Sequence, residues 1–411
     1  MRVNLVFLKN MFSLSTNNVV SIIVNIAAMP ILINNLGLEG YGEYIYVFIL
    51  SQFLLMMVNY SFDLFCINEC KGNLAIAEKL ISKVIMIRLG LFLLGSISVL
   101  LFLYFMGYFH DAVVSFVLVA AILPVVFNFS WYFQLTQKMH FIAITNITGK
   151  LLYIFLIVLP IEKNAQYFAV SYLASNVIIY LFNYYILKTK FKIGINIEFS
   201  LSELFLILKK ASSIFSYQVL VGVLPAINAS FANGYGGPAF VALFDVFSKF
   251  TNVLNTFFTT ILQVLFPKLM KLNNNRMLLN LVLNYIFSLF FSVLFLLMAL
   301  YFFGAYVIEF INYALAVDLT NDVFMLQVGV LVVFISSLNS LLSRLMIKID
   351  RVNIINISSM MGFVGTVAIT PVLIGVSNVH GLFVAMLNAQ FVIFITMIFF
   401  DFKKWRLFKA K

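Results

Sequence analysis

The sequence predicts an all-α polytopic membrane protein, with about twelve transmembrane helices in two parallel six-helix lobes around a central cleft. Three observations lead there. Hydrophobic residues make up 63% of the 411 and charged residues only 10%, too few polar side chains to cover a soluble domain of this length. The apolar runs are continuous over about 20 residues, rather than alternating in short segments, which selects helices over a barrel. Lys and Arg crowd onto alternate loops, which sets both a span count and an orientation.

The spans expected are 12–34, 43–64, 81–106, 113–134, 141–160, 165–187, 207–231, 238–262, 278–303, 323–343, 354–375 and 379–400. Each can cross the ~30 Å hydrocarbon layer with some tilt. MRVNLVFLKNMF has no small-residue cleavage motif and reads as a short cytoplasmic start to the first helix. One set of loops holds Lys71, Lys79, Lys83, Lys138, Lys188, Lys190, Lys192, Lys209, Lys210, Lys268, Lys271, Arg276, Lys348 and Arg351. Arg2, Lys9 and the basic tail from Lys403 to Lys411 lie on the same side. The opposite loops hold Lys163 among Glu39, Glu43, Asp111, Glu162, Glu309, Asp318 and Asp322. By the positive-inside rule both termini are cytoplasmic. The net charge of +11 is therefore a topology signal with an attraction to anionic lipid, and no nucleic acid is expected as a partner.

Phosphate-binding loops and dinucleotide fingerprints are absent from the sequence, so neither an enzyme nor a cofactor is expected. Cys66 and Cys70 in CINEC are too few for a disulfide framework, and His110, His140 and His380 are scattered. These five read as fillers, with no metal site.

The chain divides into a first lobe at 1–190, a cytoplasmic joint at 191–206 and a second lobe at 207–411. FKIGINIEFSLSELFLILKK, 191–210, reads equally as an amphipathic interfacial segment or as a tether leading into the seventh helix. A faint repeat supports the halves: PILINNLGLEGYGEY, 30–44, resembles PAINASFANGYGGPAF, 225–240, aligning Tyr41-Gly42 with Tyr235-Gly236. Six spans per half make the repeats parallel, and two such bundles create a cleft suited to alternating access. Channel signatures, a selectivity filter or a ring of charge, are missing from the sequence.

Inside the spans, polar residues are the candidates for function, because a lone charge in hydrocarbon is costly. Asp245 and Lys249 are one helical turn apart on one face, and Asn252 continues the stripe. The stripe reads as cleft lining, against a purely structural pair between helices. Arg88 either snorkels to the cytoplasmic headgroups or meets a pyrophosphate. Asp63, near the inner end of the second span, is the candidate for binding a coupling cation, with capping or pairing to Arg88 as alternatives. Lys150 is too deep for a loop charge. Asn17, Asn18, Asn25, Asn228, Asn233, Asn255 and Gln218 serve sugar hydroxyls or glue helices together. Trp131-Tyr132 fits an interfacial aromatic belt. Pro225, three residues after Gly222, is expected to kink the seventh helix.

Several blocks carry a family resemblance. PILINNLGLEGYGEY, 30–44, is followed by VNYSFDLFCINE, 58–69; WYFQLTQKM, 131–139, follows the fourth span; LQVLFPKLM, 262–270, follows the eighth. In this order and placement they resemble the bacterial polysaccharide exporters and O-antigen flippases, within the superfamily that also holds multidrug/toxin extruders and lipid II flippases. Gln137 stands where that family often has an acidic residue, and Ser61 where Gly is common.

The resemblance implies a two-lobed carrier in the bacterial cytoplasmic membrane that moves undecaprenyl-pyrophosphate-linked oligosaccharide to the outer leaflet. It implies drive from a proton or sodium gradient, and association with an O-antigen polymerase and chain-length regulator. It also implies cationic cavity residues, for which Arg88, Lys150 and Lys249 are the candidates. The competing expectations are a cation-coupled multidrug/toxin exporter, a lipid II flippase, and a non-transporting partner of glycan-polymerising enzymes.

Overall fold

The computed structural model describes residues 5–70, 73–107, 111–194, 200–271, 275–315, 323–348, 351–377 and 379–402. The charges at Arg2, Lys71, Asp318, Asp322 and 403–411 lie outside the described residues, as do His110 and the side chains of LQVLFPKLM beyond Leu262. Every described element is helical, in keeping with the expected all-α membrane class. Nine described helices are long and apolar enough to cross a bilayer, and the first of them contains two of the expected spans.

Helix α1 (Leu5–Asn59) holds the first two spans, joined at Gly37, where φ is 71° and ψ 172°. That backbone region is open essentially to glycine alone. Tyr60 and Ser61 follow with φ of 43° and 59°, left-handed values that non-glycine residues rarely adopt. They turn the chain into α2 (Phe62–Cys70). Helix α3 (Leu74–Phe105) starts at Asn73, whose side chain accepts from the Ala75 amide at 3.0 Å.

The fourth span, expected as one helix over 113–134, is broken. It consists of α4 (Ala112–Ala120), a 3-10 turn (Leu123–Phe127) with Pro124 in its first turn, and α5 (Ser130–Leu135). Proline at that position removes a backbone donor and disfavours continuation of the preceding helix. Helices α6 (His140–Val158) and α7 (Ala165–Lys190) then pack closely at Gly149, where a Cβ would run into the Ile179 side chain.

Helix α8 (Leu201–Gly222) bears on the 191–210 segment, of which 195–199 lie outside the described residues. From Leu201 onward it is regular helix. Ile207 and Ala211 are buried in one core with Phe62, Ile81 and Trp131. Ion pairs Lys83–Glu203 and Lys210–Glu69 bind the same helix to α3 and α2. The stretch is thus the start of the seventh helix, although Leu201 and Phe205 keep an exposed apolar face.

Val223 interrupts the expected seventh span, and α9 (Leu224–Lys271) resumes with Pro225 in its first turn, at the anticipated kink. Helix α9 breaks again at Gly237, φ 72° and ψ −168°. Helix α10 (Asn275–Leu315) runs well past 303, so the outer connection expected from 304 begins as helix. Helices α11 (Val323–Lys348), α12 (Val352–Ser377) and α13 (Val379–Phe402) complete the chain.

The chain forms two compact units, Met1–Ala226 and Ile227–Lys411. Each repeats a common plan. Gly37 and Gly237 have matching backbone angles. In the register that pairs them, buried Tyr44 matches buried Phe244, and Val58 matches Phe258. Ser51 donates to the Phe48 carbonyl at 2.7 Å, while Thr251 donates to Phe247 at 2.9 Å. The sequence alignment of Tyr41-Gly42 with Tyr235-Gly236 is out of this register: the backbone breaks before the first pair and after the second. A shared turn composition produced that misalignment.

Trp131 also departs from expectation. It is wholly buried in the first unit's core, with Tyr132 beside it, instead of sitting in an aromatic belt. Placing the short α5 after the broken turn carries the ring inward.

Candidate functional site

The broken fourth span frees backbone groups in an apolar setting, where each needs a partner. Neighbouring helices supply them. Arg88 of α3 donates through Nη1 to the Asn128 carbonyl at 2.5 Å. Asn176 of α7 donates to the Ala121 carbonyl at 3.2 Å. The Asn128 side chain accepts from Ser130 N at 3.0 Å and Ser130 Oγ at 2.6 Å, and donates to Asn59 Oδ1 at 3.3 Å.

Arg88 and Asp63, singled out separately, are brought together. Nη2 of Arg88 lies 3.6 Å from Asp63 Oδ1, a charge contact longer than a hydrogen bond. The guanidinium also lies 5.7 Å from the Phe62 ring centroid. Arg88 is 1% exposed at its side chain, so it does not snorkel, and in this state it is closed to a ligand. Asp63 is 39% exposed, although its Oδ1 is buried. The pair therefore has one accessible partner and one enclosed partner.

Ser61 Oγ donates to Gln218 Oε1 of α8 at 2.6 Å, and Tyr60 stacks on Phe215 with centroids 3.9 Å apart. The left-handed turn beside Asp63 is thereby tied to α8. Cys66, one turn further along α2, is buried in the same core and forms no disulfide.

Lys150 of α6 is half-buried and donates to Ser21 Oγ of α1, which in turn donates to the Asn17 carbonyl at 2.5 Å. Gln52 of α1 donates to the Tyr172 hydroxyl at 3.0 Å. Tyr172 also meets the Phe48 ring edge-on at 5.0 Å. These groups give the first unit a polar interior among apolar spans.

In the second unit, Lys249 Nζ lies 2.7 Å from Asp245 Oδ2, with side chains 23% and 12% exposed. The helical spacing forms the pair within α9, as the four-residue separation predicts. Asn252 lies further along the same helix with its side chain exposed, while Asn255 accepts from Ser336 Oγ of α11 at 3.0 Å. Phe244 and Phe247 flank the pair and pack on Phe383 of α13. Asn255 thus acts as helix glue, whereas Asn252 is open.

Sequence reasoning passed over Asn59, Gln52, Asn128, Tyr172 and Asn176. A polar residue shortly after a proline inside a span, Asn128 after Pro124, was the available signal for the break. Its partners come from remote segments and carry no local mark.

Two helical units with glycine-broken first helices and ion pairs inside apolar spans make up the frame of this membrane protein. Solved structures share it. An inward-facing multidrug resistance MATE family transporter of the MOP superfamily aligns with a TM-score of 0.70 at 16% identity, covering 94% of this chain and 96% of its own. The lipid II flippase MurJ in an inward closed conformation aligns at 0.71 and 14%, covering 93% and 86%. A MOP superfamily transporter from Pyrococcus furiosus, titled for the reverse polarity of its binding pocket, aligns at 0.65 and 16%, covering 98% and 96%. No curated protein matches by sequence. The sequence model of the polysaccharide biosynthesis protein family matches residues 7–273, and this chain belongs to that family.

Proposed function

We infer that the protein flips undecaprenyl-pyrophosphate-linked oligosaccharide repeat units, of the O-antigen kind, from the cytoplasmic to the periplasmic leaflet of a bacterial inner membrane. The observation that carries this reading is the family match over residues 7–273, which covers the whole polar interior of the first unit and the Asp245–Lys249 stripe. A glycan crossing hydrocarbon loses its hydrogen bonds to water, and amide and hydroxyl side chains replace them. Lys150 and Lys249 offset pyrophosphate charge, Asp245 holds Lys249 in place, and Asn252 offers an amide to sugar hydroxyls. The prenyl tail stays in lipid.

The six-span halves at 1–190 and 207–411 work as the two lobes, joined through 191–206. Both termini are cytoplasmic by the distribution of Lys and Arg. A proton or sodium gradient drives the cycle through Asp63. An O-antigen polymerase and chain-length regulator receive the flipped unit. A second reading, a cation-coupled multidrug exporter, draws on the fold shared with the MATE transporter.

The test is deletion of the gene in its host, followed by measurement of the leaflet distribution of the lipid-linked oligosaccharide. Accumulation on the inner leaflet with loss of surface glycan, reversed by the intact gene, is the expected result. An unchanged distribution, with no redundant carrier active, rejects the reading and favours drug export.

A further inference from the structure

Asp63, Arg88 and Asn128 form a chain from an accessible carboxylate, through an enclosed guanidinium, to the backbone of a broken helix. Of the five N–H groups on a guanidinium, one is engaged by Asn128. Nε and Nη2 of Arg88 are buried and donate no hydrogen bond, and Oδ1 of Asp63 accepts none. Among the described residues the buried cation is thus held by one carbonyl, one ring face and the charge of Asp63. Losing that charge would leave an uncompensated guanidinium in an apolar core, the most costly state for such a group.

We propose that Asp63 is a proton-binding site and that its protonation opens a latch: Arg88 leaves the Asn128 carbonyl and the broken fourth span is released. The proposal rests on the assignment of Asp63 to coupling and makes Arg88 a positioning residue. The proton is favoured over a metal cation by the surroundings. Arg88 already occupies the cation's place beside the carboxylate. The nearby oxygens are engaged, Asn128 O by Arg88 and Asn59 Oδ1 by Asn128. No group of acidic, His and Cys side chains among the described residues has the makings of a metal site.

The titratable and charged groups facing the carboxylate are Arg88 from α3, Tyr180 from α7 and Cys66 on α2 itself. The break and α8 contribute the neutral Asn128 and Gln218. The output path is also in place. Asp63 lies two residues beyond the left-handed Tyr60–Ser61 turn, which Gln218 and Phe215 bind to α8, the helix that leads into α9.

The experiment is hydrogen–deuterium exchange of the full-length protein in lipid nanodiscs, with rates corrected for the intrinsic effect of pH. Asp63→Asn removes the charge and nearly preserves shape. At pH 7.5 this variant should exchange about tenfold faster than the parent over 121–130, with 165–190 unchanged, the tenfold being the effect of a ~1.4 kcal/mol opening shift. The parent should approach the variant's rate on acidification, and the variant should stay independent of pH. Asp63→Glu should keep a pH response. Equal rates in parent and Asp63→Asn overturn the latch, as does acceleration spread over the whole unit. Acceleration of the parent by sodium chloride at constant pH, absent with choline chloride, overturns the proton assignment. None of these readouts uses substrate, so failure of the latch is distinct from failure of the flippase reading, which the leaflet assay decides.

Discussion

Removing the charge of Lys249 while leaving Asp245 in place separates the two roles of this pair. Lys249→Met keeps most of the side-chain stem and deletes the ammonium that lies 2.7 Å from the carboxylate. Breaking a fully buried pair costs about 3–5 kcal/mol, whereas an exposed pair one turn apart on a helix contributes about 0.3–0.5. Here the side chains are 12% and 23% exposed, so the pair lies between these limits. Discounting for the partly solvated Lys249 leaves a loss of about 2 kcal/mol. Adding Asp245→Asn removes the acid that has lost this counter-charge and should recover most of that loss. The first unit supports this expectation: Ile45 and Ile49 fill the matched positions, so the frame folds without charge there. Denaturant unfolding in a fixed detergent supplies the double-mutant cycle, and surface glycan supplies the functional readout. A double variant no more stable than Lys249→Met refutes mutual charge compensation between the two residues. A double variant that is stable and exports normally refutes a role in transport.

Gly37→Ala and Gly237→Ala should each lose about 1–3 kcal/mol, since alanine does not tolerate the backbone angles at either break; thermal unfolding of each variant checks this. Asn176→Leu leaves the Ala121 carbonyl without its donor, and should lower stability by about 1–3 kcal/mol in the same assay while leaving membrane insertion intact. Gly149→Ala already sets a Cβ against Ile179 and the Ser175 carbonyl, and Gly149→Val should be worse because it adds two methyl groups to the same tight seam, a difference visible as a larger fall in folded yield. Lys210→Gln should change stability by less than about 1 kcal/mol, since the pair with Glu69 is half-exposed and screened by salt.

The helical membrane class was legible because hydropathy and basic-residue placement are local properties summed over long runs. Asp245 and Lys249 were legible for a related reason: one turn of α-helix brings them together whatever surrounds them. Asp63 and Arg88 required more, since their contact depends on how α2 meets α3, and the sequence left pairing as one option among several. The broken fourth span was hidden by the apolarity of 113–134, which matches that of an unbroken helix. Its stability depends on Asn59, Arg88 and Asn176, three residues from three other helices, and no window on the sequence contains them together. The repeat was seen, but its register was not: the Gly-Tyr-Gly composition outweighed the single glycine in each half that sets the backbone angles.

The matched breaks at Gly37 and Gly237 give each unit its own ruler. Asp245 lies about 12 Å along the axis from its glycine, at ~1.5 Å per residue. Asp63 lies three times as far along the chain from its own, beyond a second turn. Each copy of the shared plan thus keeps an acid and a base, but at a different distance from its glycine. A chimera made of two first halves would retain the helical frame and lose the Asp245–Lys249 pair, so the copies are alike in helical plan but differ in where their charge sits.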